Sequence, residues 1–258
     1  MKNFWLTIKN WFRYITKSNK LGKFKPSKNQ VEEHDFTIFT DEDITNLYHK
    51  GFLWGKYHPD KKWAYFDGDF YKLDNEKGLS VIVKYEPRTY DNMLMPYGNC
   101  VLRTKESYKY GYFEASIKLP KEKNTWPAFW MTGIDSWPPE IDILEAYNRD
   151  GSYKKNKKLQ TNIHYKLPNE CKDKHITGKD HPIPNNVDEN YNLYGVLWTK
   201  DEISFYYNRH LVRTVTDKEQ LATFNQPLEI IISTGLIDNT GDKNVHSEMY
   251  IKSLDIWQ

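Results

Sequence analysis

Glu140, Asp142 and Glu145 lie within six residues, in the stretch NTWPAFWMTGIDSWPPEIDILEAYN from Asn124 to Asn148. Residues two apart on a β-strand share a face, so Glu140 and Asp142 point together while Glu145 would point away. A β-bulge at Ile143 or Leu144 reverses that, because one extra residue re-aims the side chains beyond it. Acids gathered on one surface repel one another, and a site that uses them chemically can hold them there. Two carboxylates flanking a glycosidic bond do the work of glycoside hydrolysis, roughly 5–5.5 Å apart when a covalent intermediate forms and roughly 6.5–9.5 Å when it does not. Mutual repulsion pushes one pKa up and leaves another low, which separates an acid from a nucleophile. Trp126, Trp130 and Trp137 precede the acids and offer flat apolar faces to sugar rings. The plainer reading, a solvated strand whose acids face water, does not account for those tryptophans.

The elements that must position this stretch are strands. The chain has 258 residues, enough for one large core, and all-β folds of this size often form a single domain. Aromatic residues make up 16% of a chain whose mean hydropathy is −0.82, which suits a β-sandwich with an aromatic-lined cleft. A net charge of +2 gives no general reason to expect nucleic acid. Two cysteines, Cys100 and Cys171, do not make a disulfide scaffold; they are read as free thiols, with a single bridge as the alternative. No apolar run reaches the roughly 18 residues of a membrane span.

Residues 1–30 differ from the rest. Phe4, Trp5, Ile8, Trp11, Phe12 and Ile15 recur at helical spacing among Lys2, Lys9, Arg13 and Lys17. They predict a basic amphipathic helix over 1–17, for docking on a membrane surface or on protein, followed by a linker to Gln30. The continuous apolar centre and cleavage site of a good signal peptide are missing, so a degenerate export segment stands as a third reading. The catalytic domain is placed at 31–258.

Within it, Thr40 before Asp43 predicts a capped helical turn through Tyr48. Leu79 to Tyr85 reads as a strand ended by Pro87, and Asn99 to Thr104 and Gly111 to Leu119 as strands joined by the polar KESYKY. Trp63 to Tyr71, aromatic and turn-rich, is a candidate for one end of a cleft. Gln160 to Tyr165 reads as a strand with His164 facing the acids, and Lys166 to Asn190 as a long binding-side loop. The spacing of Cys171, His175 and His181 in that loop is a poor match to a metal site. Tyr194 to Trp198, Ile203 to Tyr207 and Leu211 to Val215 form a meander turning at Asn208, Arg209 and His210. Lys218 to Thr223 is read as a short helical piece, Leu228 to Ser233 as a central strand and Tyr250 to Trp257 as the closing one.

Six segments in order now carry a resemblance: RTKESYKYGYFEASIKLPK at Arg103–Lys121, WPAFWMTG at Trp126–Gly133, EIDILE at Glu140–Glu145, NIHY at Asn162–Tyr165, YGVLWTKDEISFYYNRHLV at Tyr194–Val212 and FNQPLEIIISTG at Phe224–Gly235. From about Trp63 onward the chain resembles glycoside hydrolase family 16, the concanavalin A-like β-jelly-roll glucanases and galactanases. The resemblance implies an all-β jelly-roll sandwich and a retaining, endo-acting hydrolase of internal β-glycosidic bonds. Glu140 matches the nucleophile, Asp142 the assisting carboxylate and Glu145 the general acid/base. Trp126 matches a sugar platform, Trp130 its support, and His164 a cleft histidine that binds sugar or steadies Glu145. Trp137, Tyr147 and Asn162 complete the candidate substrate-binding set.

The six-residue EIDILE form resembles the branch of β-1,3-glucanases, agarases and carrageenases, whereas lichenases usually have five residues without the bulge. Laminarin-like β-1,3-glucan is the first expectation. Pro139 stands where many laminarinases have glycine, which keeps galactans in view, with transglycosylation and a non-catalytic glycan-binding module as further alternatives. No cofactor is implied. Family members often hold a structural calcium through an aspartate near the start of the final strand; Lys252 stands there, and an ammonium cannot ligate calcium, so that site is expected to be absent or altered. A monomer acting outside the cell or at its surface is expected, with a polysaccharide as partner.

Overall fold

Apolar residues at every second position, interrupted by Gly, Asn and Asp turns, fold the chain into two stacked antiparallel sheets. The computed structural model describes residues 25–26, 30–57, 63–66, 69–151, 153, 158–168, 175–182 and 186–258. The expected N-terminal helix and Cys171 lie outside them. In chain order the strands are β1 (Gln30–Asp35), β2 (Tyr48–Lys50), β3 (Ala64–Phe66), β4 (Tyr71–Asp74), β5 (Gly78–Tyr90), β6 (Met93–Asn99), β7 (Val101–Tyr108), β8 (Gly111–Lys118), β9 (Ala128–Gly133), β10 (Glu140–Glu145), β11 (Lys158–Tyr165), β12 (His175–Pro182), β13 (Asn192–Trp198), β14 (Ile203–Tyr207), β15 (His210–Val215), β16 (Leu228–Ser233) and β17 (His246–Trp257). Two short helices join them, α1 (Asp41–Leu47) and α2 (Lys218–Leu221). Thr40 and Asp43 cap α1 reciprocally, as their spacing predicts.

The larger sheet runs β15-β14-β13-β8-β17-β5-β6-β3, with β1 on β17 and β4 on β5; the smaller runs β12-β11-β10-β9-β16-β7-β2. This is the expected jelly-roll sandwich. All pairings are antiparallel except β3 with β6. Between the sheets lie Phe113, Phe205 and Trp198 from one side and Phe129, Met131, Ile141, Ile163, Ile230 and Ile232 from the other. Because alternate residues of β9 and β16 enter this core, Ala128, Trp130 and Ile231 face the outside of the smaller sheet, where they form a second cluster with Phe66 and Val101. Among the described residues no helix is long and apolar enough to cross a membrane.

Three sequence expectations change. Strand β5 does not stop at Pro87; it continues to Tyr90 through a register shift between Tyr85 and Arg88, where a proline costs no ladder bond. The polar KESY segment is not a connection but the end of β7. Part of the long loop after Tyr165 is strand β12, paired to β11 over its whole length. It is an edge strand, so it needs no apolar alternation and leaves none in the sequence. Its two histidines are far apart, His175 opposite Tyr165 and His181 opposite Leu159. Among the described residues of the stretch Trp63 to Tyr71, Phe66 joins the outer aromatic cluster.

Candidate active site

Strand β10 lies inside the smaller sheet, between β9 and β11. Along β9 its partners run Glu140 with Thr132, Asp142 with Trp130, Leu144 with Phe129 and Glu145 with Ala128, with a register shift between Asp142 and Leu144. Ile143 is therefore the extra residue of a bulge. Along β11 the partners are Glu140 with His164, Asp142 with Asn162 and Glu145 with Gln160. Cross-strand partners share a face, so the bulge sets all three acids in one row on the outer side of the sheet, while Ile141, Ile143 and Leu144 are buried in the core.

Donors reach all three acids. The Trp137 indole N–H donates to Glu140 Oε2 at 2.9 Å. His164 Nε2 lies 3.1 Å from Glu140 Oε1 and 3.0 Å from Asp142 Oδ2, bridging the two. Glu145 Oε1 accepts from Trp126 Nε1 at 3.0 Å and from the Tyr147 hydroxyl at 3.1 Å, while Asn162 Nδ2 donates to its Oε2. Asp142 is 3% exposed and Glu145 8%, so these bonds replace water that the carboxylates have lost.

Burial pushes the Glu140 carboxyl up to about 8, and the neighbouring Asp142 adds to the rise; His164 and the Trp137 N–H act against it. Asp142 is raised well above the usual aspartate value, again by burial first and then by the charge of Glu145. Two adjacent buried carboxyls that hydrogen-bond to each other do not both ionise cheaply, so the pair holds one proton. Glu140 and Asp142 share that proton in the resting site. Once that proton leaves, a hydrogen-bonded Glu140 carboxylate beside a separate carboxyl, Glu145, is what double displacement at a sugar carbon requires.

The remaining sequence candidates fall into place around this row. His164 hydrogen-bonds Glu140 and Asp142 rather than Glu145, because its register sets it opposite Glu140. Asn162, two pairs along, supports Glu145 instead. Trp126 stacks on Tyr147 at 5.4 Å and 23°, so its ring is covered on one side and its N–H spent on Glu145. Trp130 is a buried support whose N–H reaches Ser233 Oγ at 3.1 Å. Trp137 is 46% exposed, its ring 6.0 Å from that of His164. Glu140, Asp142 and His164 also have the composition of a metal trio, their ligand atoms within 4.8 Å of one another, but the hydrogen bonds among them explain that closeness.

Two features of the same face escaped the sequence reading. Arg103 on β7 donates from Nη1 to both oxygens of Glu229 on β16, at 2.8 and 2.7 Å, a largely buried ion pair on the sheet floor. Phe52 and Trp54 stack beside Trp130. The pairing of Arg103 with Glu229 depends on strand order, which spacing along the chain does not reveal.

The profile of glycosyl hydrolases family 16 matches residues 40–252. The chain belongs to that family. An endo-1,3-1,4-β-glycanase of Rhizobium meliloti is 36% identical over 119 residues, covering 43% of this chain and 23% of the relative. A second endo-1,3-1,4-β-glycanase of the same organism is 32% identical over 139 residues, covering 51% and 26%. The family-16 chain thus spans about a quarter of the length of these curated relatives. Among solved structures, the laminarinase from Flavobacterium sp. UMI-01 superposes with a TM-score of 0.65 at 27% identity, covering 89% of this chain and all of that one (100%). Enzymes of this family generally need no cofactor.

Proposed function

We propose that the chain is a retaining, endo-acting β-glucan hydrolase, with β-1,3-glucan as its first substrate. One observation carries the reading: the bulge at Ile143 sets Glu140, Asp142 and Glu145 in one row, each reached by a hydrogen-bond donor. In this reading Glu140 attacks the anomeric carbon while Glu145 gives its proton to the leaving oxygen. A glycosyl ester on Glu140 results. Glu145, now a carboxylate, takes a proton from water, and the water displaces Glu140; two inversions return the original configuration. Asp142 shares a proton with Glu140 in the resting site and steadies the ester oxygen later. Trp126, Tyr147 and Asn162 fix the carboxyl of Glu145, and Trp137 and His164 fix that of Glu140. A row on the outer face of an open sheet suits a polymer lying across it, hence internal cleavage.

The similarity to a laminarinase supports β-1,3-glucan, and the names of the Rhizobium relatives bring mixed-linkage glucan into the comparison. The test is a panel of laminarin, lichenan, agarose, porphyran and carrageenans with product sizes resolved, alongside Glu140→Gln. Laminarin should give a ladder of oligosaccharides, and the variant should lose at least ~100-fold in turnover, since it keeps shape but removes the attacking oxygen. Equal activity of the variant would remove Glu140 from the mechanism. No calcium is proposed at the final strand, where the Lys252 ammonium lies 5.0 Å from the Tyr191 ring and Asp255 accepts from Gln30 and Ser253. The basic amphipathic extension over 1–30 and the catalytic domain over 31–258 stand as the proposed division of a monomer.

A further inference from the structure

A tight turn after β2 carries an indole that the catalytic row does not use. Phe52 and Gly55 bridge across it, and glycines take the left-handed backbone at both ends, Gly51 at φ 95° and Gly55 at φ 129°. Non-glycine residues rarely adopt those angles, so the turn is specified. It is also tied to the sheet floor. Gly51 N–H donates to Val101 O at 2.8 Å, and Gly51 O accepts from Arg103 Nε at 3.3 Å. Arg103 is itself locked to Glu229.

On this base stands an aromatic pile. Phe66 meets Phe52 edge-on at 4.5 Å, and Trp54 lies flat on Phe52 at 4.4 Å and 10°. Trp54 is tilted 42° to Trp130 at 6.5 Å. One face of the Trp54 ring is therefore backed by a ring, yet the residue stays 46% exposed. A single exposed hydrophobic side chain is ordinary. A rigidly backed one, beside Trp130 on the outer face of the smaller sheet, is a prepared surface.

We propose that Trp54 is a sugar platform: it takes the apolar C–H face of a pyranose unit of the bound polysaccharide, on the β9–β16–β7 side of the bond that is cut. This deepens the hydrolase reading and rests on it. Trp130 sits opposite Asp142, one strand spacing of about 4.8 Å from β10, and Trp54 lies a further 6.5 Å away by ring centroid. The platform is thus beyond the sugar under attack and serves a more distant unit. Its contribution appears only when the chain is long enough to reach it.

The experiment measures binding of β-1,3-gluco-oligosaccharides of increasing length to Glu140→Gln, with and without Trp54→Ala and Trp54→Phe, and in parallel the hydrolysis of laminarin by the active enzyme. The Trp54→Ala change should weaken the longer oligosaccharides by roughly tenfold, the size of an aromatic face contact of about 1.4 kcal/mol. The loss should grow with chain length, Trp54→Phe should recover most of it, and in active enzyme it should appear in KM more than kcat. Equal weakening at every length, together with a lowered melting temperature, would mean a structural role and overturn the proposal. Unchanged binding of the longest oligosaccharide would overturn it as well. If the active enzyme cleaves laminarin while Trp54→Ala changes nothing, only the platform fails; if no polysaccharide of the panel is cleaved by wild type, the hydrolase reading fails.

Discussion

Deletion of Ile143 tests the geometric core of the argument. The residues around it pair with β9 as Asp142 with Trp130, then Leu144 with Phe129 and Glu145 with Ala128. Without Ile143 these become consecutive partners in an ordinary ladder, and on the β11 side Asp142 with Asn162 and Glu145 with Gln160 become two residues apart on both strands. The shortened EIDLE strand would thus be regular, with its acids still on one face. Removing the buried isoleucine costs about 2–5 kcal/mol, and restored ladder bonds return about 1 kcal/mol each. A net loss of about 1–4 kcal/mol lowers the melting temperature by roughly 2–16 °C. Misplacement of the acid by about 1 Å can cost ~100-fold in turnover, whereas losing a general acid altogether costs up to ~10,000-fold. The variant should therefore melt cooperatively and cleave laminarin at least ~10-fold faster than Glu145→Gln. Deletion of Ile141 should do the opposite, turning Glu140 into the apolar core and preventing folding. A well-folded Ile143 deletion no more active than Glu145→Gln would refute the view that Ile143 serves as a spacer that aims Glu145.

The pH dependence has a definite sign. Attack needs Glu140 ionised, so kcat/KM should climb with pH toward about 8; Asp142→Asn, which removes a charge that raises Glu140, should move that limb to lower pH, and His164→Asn should move it to higher pH. Stability runs the other way. The folded state binds the Glu140 proton more tightly than the unfolded chain, whose glutamate titrates near 4.5, so stability is fully present below that value and is lost as pH rises toward about 8. Thermal melts should show Glu140→Gln more stable than wild type at pH 8 and little different at pH 4. Trp126→Phe removes one neutral donor from Glu145 and should lower kcat roughly fivefold, the rate equivalent of a hydrogen bond worth about 1 kcal/mol, with little change in melting temperature. Arg103→Met leaves Glu229 buried without its partner, and chemical denaturation should report a loss of about 3–5 kcal/mol.

The acids were legible in the sequence because the pattern E-x-D-x-x-E is wrong for a flat strand and right for a bulged one, and a bulge is a local event. The sandwich was legible for a similar reason, since Leu228 to Ser233 and Ile203 to Tyr207 carry their burial in their own composition. The features that could not be read are set by register between distant strands. His164 supports Glu140 rather than Glu145 because β11 pairs with β10 at a register that nothing within NIHY announces. Strand β12 takes its stability from β11 and needs no apolar pattern of its own. Trp54 was hidden most completely, because a turn tryptophan acquires meaning only through Phe52 in the same turn and through Phe66 and Trp130 from two other parts of the chain. The same division explains how the site tolerates its own charge. The row of acids is locally unfavourable, as the raised Glu140 and Asp142 report, yet the β-ladders on either side of β10 are anchored by Ile141, Ile163 and Met131 in the core. The sandwich thus holds the carboxylates at a spacing that their mutual repulsion would otherwise widen, and that held repulsion keeps a proton between Glu140 and Asp142.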